Sequence, residues 1–214
     1  MICDFGEAVL DSRPGRRSAA LGGGASVPMQ IIQNRSYETV DRRIEATTNP
    51  RHRAMLRDYR AHMEYELTAD IDSVMTIVSP NAVYHSFGRE GTKVLTGHDE
   101  IRAHYEQGMT SHRALERVLD RLLVDDDAIF ADGPVHLVYT GKHLIELGLP
   151  ADPNLDYVNS FRAGVTFVYE GDGENVVLVG EDSYSTALPL SLETLTPIDP
   201  KDVITPNDDK AVVD

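Results

Sequence analysis

From Pro50 onward, the chain sets Met55, Tyr59, Met63 and Leu67 four residues apart. That spacing lines them along one side of a helix and predicts a long α-helix with one buried stripe. Asn49 supplies a cap for it and Pro50 a first-turn residue. Asp70 is a second cap, ahead of Ile71, Val74, Met75 and Val78, which predict a short second helix ended by Ser79-Pro80-Asn81. The period changes in "AVYHSFGREGTKVLTG", where two β-prone runs flank a turn at Gly88 to Gly91 and predict a hairpin. "HDEIRAHYEQGM" returns to helical spacing, with Ile101 and Tyr105 on one face and Thr96 as cap. Strands are expected over about 115–125, 128–141 and 160–170, and Gly171-Asp172-Gly173 turns the last into a strand over 175–186. Residues 142–159 are too long for a simple turn and predict a lid or short helix over a pocket.

Helices come first and the long strands last. This order predicts an α+β fold, a curved antiparallel sheet wrapped around the long N-terminal helix. The run Val176 to Val179 is apolar on both faces, as expected of a strand covered by a helix within and a partner subunit without, so a homodimer is expected. Residues 1–28, rich in Gly, Ser and Arg, read as a flexible extension, with Met29 a candidate natural start. Residues 188–214, with Pro189, Pro197, Pro200 and Pro206 among acidic residues, read as an irregular acidic tail.

Composition narrows the function. Apolar residues are 41 % of the 214, a globular share, and the formal charge is −15. That charge repels phosphate backbones and anionic lipid, so neither nucleic acid nor a membrane is an expected partner. No apolar run is long enough to span a bilayer. A single cysteine, Cys3, allows no intrachain disulfide and fits a cytoplasmic location. The histidines, 8 in all, show no metal-ligand spacing, and Gly22-Gly23-Gly24 follows no strand, so no metal and no nucleotide or flavin cofactor is expected.

"YELTADIDSVMTIVSPNAVYHSF", "LTGHDEIRAHYEQGM" and "VVLVGEDSYST", in that order, resemble the nuclear transport factor 2-like superfamily in its SnoaL-like branch. The resemblance spans about residues 50–187. It implies a helix pair, a first strand ending near a cavity, a third helix and four antiparallel strands closing a cone. It also implies a function from a mixed set that includes polyketide cyclases, dehydratases, ketosteroid isomerases, epoxide hydrolases and non-catalytic ligand binders. The fold cannot choose among these.

A polar group inside such a cone is desolvated, and its pKa moves towards neutrality. Tyr59, His62 and Glu66 share one side of the long helix and offer a phenol, an imidazole and a carboxylate. Val83, His85 and Phe87 share one strand face, which directs His85 inward. Strict alternation puts Leu178, Gly180, Asp182 and Tyr184 on one face and Glu181 on the other. Gly180 and Tyr184 suit a pocket wall and favour Asp182, on their face, as the inward acid, and a bulge near Gly180 would make it Glu181. The candidate catalytic residues are therefore His85, Asp182 and Tyr59, with His62, Glu66, Glu181, Tyr184 and Phe87 as substrate contacts. Asp99 and Glu100 read as dipole partners at a helix start, and Asp125 to Asp127 as a solvated turn. The expected chemistry is cofactor-independent proton transfer on a small apolar metabolite, with Asp182 or His85 as base and Tyr59 or Tyr184 donating to an oxyanion. A binding or dimeric accessory protein of the same fold is the alternative.

Overall fold

The computed structural model describes residues 29–89 and 91–206. The extension expected over 1–28 and the end of the tail at 207–214 lie outside the described residues. The chain opens with Ile31–Ile32 (β1) and Arg35–Ala46 (α1). The helix α1 lies upstream of the expected fold boundary at 50. Its signal is the spacing of Tyr37, Val40 and Ile44: Val40 is fully buried, and the Arg60 guanidinium sits 3.6 Å over the Tyr37 ring.

Pro50–Leu67 (α2) starts where the cap predicts, with the Asn49 side chain accepting from Arg51 N at 2.9 Å. It buries Met55, Tyr59 and Met63, and also Leu56, His62 and Glu66. Asp70 caps Ile71–Ile77 (α3) by accepting from Ser73 N at 3.1 Å. Val78–Gly88 (β2) and Gly91–Thr96 (β3) form the expected hairpin, with Gly88 opposite Gly91. Gly97–Thr110 (α4) follows; its entry is fixed by Glu100, whose side chain accepts from Thr96 N at 2.7 Å.

The single strand expected over 115–125 is two: Ala114–Arg117 (β4) and Arg121–Val124 (β5). Both pair with Ala128–Thr140 (β6), with one extra residue between them, at a point where a side chain on Gly133 would run into the Val118 carbonyl. The 142–159 segment holds a short helix, Gly141–Glu146 (α5), capped by Thr140 and pinned by the fully buried Leu144. Asp156–Glu170 (β7) and Val177–Ser185 (β8) complete the main strands.

Part of the expected irregular tail is ordered as strand. Leu195–Ile198 (β9) pairs with the start of β7, and Val203–Ile204 (β10) runs parallel to β1. The reason is apolar: Ile198 and Val203 join Ile31, Ala114, Val138 and Val158 in a small second core on the sheet's outer face.

The sheet runs β3-β2-β8-β7-β6-β4, with β5 also on β6 and β9 on β7. Every pairing is antiparallel except β2 with β8. One face turns inward to the main core, where Tyr59, Val74, Ile101, Leu178, Phe167 and Ile129 are buried together. The fold class is the one expected, α+β with a curved, largely antiparallel sheet.

Candidate functional site

The site is set by one irregularity in β8. Val168 on β7 faces Gly180, but the next residue, Tyr169, faces Leu178, so Val179 is an extra residue on the β8 side. Gly180 suits this place, since a Cβ there would lie 3.3 Å from the Val83 carbonyl of β2. The bulge breaks the alternation that would have put Asp182 beside Leu178. Glu181 takes the inward place, paired with Phe167 on one side and Tyr84 on the other. Asp182 turns out, as does Tyr184.

Alternation along β2 holds as expected, but the buried face is the opposite one. Ala82 and Tyr84 point in because α4 lies on that side, with Tyr105 edge-on to Tyr84 at 6.2 Å between ring centres. His85 and Phe87 therefore lie on the outer face, not in the interior. There His85 Nδ1 is 2.7 Å from Asp182 Oδ1, each side chain 38 % exposed. The row continues as a stack, His85 on Phe87 at 5.9 Å and Phe87 on Tyr184 at 4.7 Å. Phe87 and Tyr184 also edge an open groove of about 490 Å³ beside Phe130 and Arg162. The structure thus brings four of the expected residues together on the outer face and the other four inside.

The interior group is Tyr59, His62, Glu66 and Glu181, joined by residues the sequence did not single out. His62 Nε2 lies 3.1 Å from the Tyr105 hydroxyl and 3.5 Å from Glu66 Oε1. Tyr105 in turn donates to the Tyr84 hydroxyl at 3.2 Å. Phe167 packs between the helix groups, 4.8 Å from the Tyr59 ring and 5.4 Å from that of His62. Glu181 Oε2, the Tyr59 hydroxyl and His62 Nδ1 are buried with no hydrogen-bond partner among the described residues. Unpaired buried polar atoms are rare in folded proteins and cost about 1–3 kcal/mol each.

The electrostatics follow from burial. Desolvation raises the Glu181 carboxyl above its ordinary range, and Asp182 adds to this while the Arg117 guanidinium opposes it. Desolvation also raises Tyr59, and holds Tyr84, Tyr105 and Tyr169 well above the usual phenol range. His62 is held well below the usual imidazole value by burial, with Arg117 adding to it. Asp58 is pushed up to about 6 by burial, against the Tyr169 hydroxyl beside it. Among the described residues, the interior is thus a mostly neutral polar patch near the buried Arg117, whose Nη2 donates to the Ala131 carbonyl at 3.2 Å.

Asp58, Tyr84, Tyr105, Arg117 and Tyr169 are the residues that sequence reasoning passed over. By alternation Tyr84 falls on the strand face opposite His85, the one expected to turn outward; Tyr105 reads only as sharing a helix face with Ile101, and Arg117 carries no signal of burial on a strand. Asp58 stands next to Tyr59 and three residues before Ala61, in no pattern that marks it. Elsewhere, Asp126 binds the His52 ring at 2.9 Å and so ties the acidic turn to α2. No cluster of potential metal ligands exists among the described residues. Nor is any described helix long and apolar enough to cross a membrane.

A family profile described as a SnoaL-like domain matches residues 56–177. No curated protein sequence matches the chain. Among solved structures, the chain is similar to a ketosteroid isomerase-like protein from Erwinia carotovora atroseptica, with 13 % identity, 65 % of this chain and 99 % of that one covered, and a TM-score of 0.47. It is similar to RV0760c from Mycobacterium tuberculosis in complex with estradiol-17beta-hemisuccinate, with 12 % identity, 67 % and 98 % covered, and a TM-score of 0.47. A third is an LEH-like epoxide hydrolase from M. tuberculosis, with 16 % identity, 60 % and 80 % covered, and a TM-score of 0.42. Each likeness is one of chain architecture alone.

Proposed function

The chain belongs to the SnoaL-like domain family, and from that premise we propose that it is an enzyme moving protons on a small, largely apolar metabolite held between α2 and the inner face of the sheet. The observation that carries this reading is Glu181: a fully inward carboxyl with a raised pKa and one oxygen left without a partner among the described residues. A carboxyl in that state exchanges a proton with carbon or water near neutral pH, because its ionised form lacks the solvation that would make it a weak base. Tyr59 is the natural donor to an oxyanion forming beside it: its hydroxyl is buried and unpaired, and it feels the charges of both Glu181 and Arg117. This makes Glu181 the base in place of Asp182 or His85. Cyclisation, dehydration, isomerisation and epoxide opening all need this pair.

The test is deuterium uptake at the α-carbon of a panel of cyclic ketones in D2O, followed by proton NMR, with an epoxide panel in parallel. The wild type should exchange or open at least one member, and Glu181→Gln should be slower by about 10²–10⁴-fold. Equal rates in the two proteins would overturn the reading. The mutual bonding of His62, Tyr105 and Tyr84 favours a second reading, a binder without chemistry. It predicts saturable binding of the same compounds with no exchange. Pairing of two copies over the open part of the outer face, where Val94 is 51 % and Tyr184 49 % exposed, belongs to the same proposal. A monomer by sedimentation at micromolar concentration would remove it.

A further inference from the structure

His62 has no place in the proton transfer just described, yet its ring is fully buried in the same interior. It stands edge-on to both Phe167 and Tyr105. Burial holds it well below the ordinary imidazole value, so it is neutral and has one protonated and one bare nitrogen. Which nitrogen is bare follows from the partners. Nε2 faces two oxygens, the Tyr105 hydroxyl at 3.1 Å and Glu66 Oε1 at 3.5 Å. The Tyr105 proton is given to Tyr84, so Tyr105 can only accept from the imidazole, and the Glu66 carboxyl presents a further acceptor. Nε2 therefore carries the proton. Nδ1 is left as a lone pair, buried and without a hydrogen-bond partner among the described residues. An acceptor fixed in this way recognises a donor and nothing else.

Phe167 places this lone pair relative to the rest of the site. Its ring touches both His62 and Tyr59, and its strand neighbour on the inner face is Glu181. We propose that the interior ligand carries a hydroxyl or N–H group that donates to His62 Nδ1, next to the oxygen-bearing carbon that meets Glu181 and Tyr59: a hydroxy-carbonyl compound rather than a simple ketone or epoxide. This rests on the interior reading above. His62 selects the substrate in this scheme, and Tyr105 is a positioning residue that holds the tautomer.

The probes are 2-naphthol, which can donate, and 2-methoxynaphthalene, which has the same ring and can only accept. Affinities for the full chain come from ligand-detected NMR, and long-range proton–nitrogen spectra read the His62 ring directly. In the free protein Nδ1 should show the resonance of an unprotonated ring nitrogen, and it should shift on addition of 2-naphthol. The wild type should bind 2-naphthol about tenfold or more tightly than the methyl ether, the loss expected when one buried bond goes unmade. His62→Phe should erase that preference and leave the methyl ether bound within about threefold. Tyr105→Phe should weaken the preference and mix the two tautomers. A protonated Nδ1, or equal affinity for the two probes in the wild type, overturns the inference while leaving Glu181 chemistry standing. Failure of both probes to bind overturns the interior reading and this inference with it.

Discussion

On the inner side of β2 and β8, Tyr84 and Glu181 stand opposite each other; one residue further along the same two strands, His85 and Asp182 stand opposite each other on the outer side. The two pairs share a backbone, and their chemistry differs through burial alone. Outside, a histidine and a carboxylate meet at 2.7 Å, each more than a third exposed, so water screens the pair. Inside, burial has stripped the carboxyl of its water, so its proton is held more tightly. A hydrogen-bonded acid–histidine pair looks the more catalytic of the two in a list of residues. On the proposed reading, the buried acid is the better poised of the two for proton transfer.

The largest expected effect comes from inverting this arrangement. An alanine inserted between Gly180 and Glu181 would send Glu181 outward and bring Asp182 in, along with every later side chain of β8. It should cost about 3 kcal/mol or more, read as a fall in Tm, and abolish activity. Deleting Val179 should do far less, because removing the extra residue keeps Glu181 facing Phe167. If the insertion melts within a few degrees of wild type, the bulge does not decide the face.

Next in size is the pair of isosteric changes. Glu181→Gln should slow ketone exchange by about 10²–10⁴-fold, whereas Asp182→Asn should change it by less than about threefold. The reverse ranking would move the active acid to the outer face.

A smaller effect separates the faces by pH. Asp58 ionises near 3.8 in the open chain and is pushed up to about 6 in the fold. The unfolded chain therefore loses this proton first, and the group's contribution to stability is fullest at low pH and declines as pH rises through about 6. Asp58→Asn removes the decline. Relative to wild type, the variant should gain roughly 2–3 kcal/mol between about pH 4 and pH 7, followed by Tm. A gain that is the same at both pH values would count against a buried, titrating Asp58. The smallest effect is expected outside: His85→Ala should alter stability by no more than about 1 kcal/mol, since the bond it breaks is half in water. A loss of several kcal/mol would show that the outer pair holds the sheet together.

Much of the fold is legible from single-chain patterns. The cap at Asn49, the four-residue stripe of α2, the cap at Asp70 and the glycine turn of the β2–β3 hairpin are local, and local chemistry decided them. The candidate site was legible by residue type and not by direction. Tyr59, His62 and Glu66 went inside because a helix stripe keeps its phase over several turns. His85 went outside because both faces of β2 offer apolar neighbours, and only the position of α4 breaks the tie. α1 and the strands at Leu195–Ile198 and Val203–Ile204 fell outside the expected boundaries because each is stable only through what it covers.

By itself, the sequence determined where α2, α3, α4 and the β2–β3 hairpin form, how α2 and α3 are capped, and that two acids stand side by side near the end of the last long strand. Tertiary structure decided which of those acids is sheltered. In a strand a side chain's face depends on every residue since the last fixed contact, and the extra valine before Gly180 is admitted by the close approach of β2, a contact made by a segment nearly a hundred residues away.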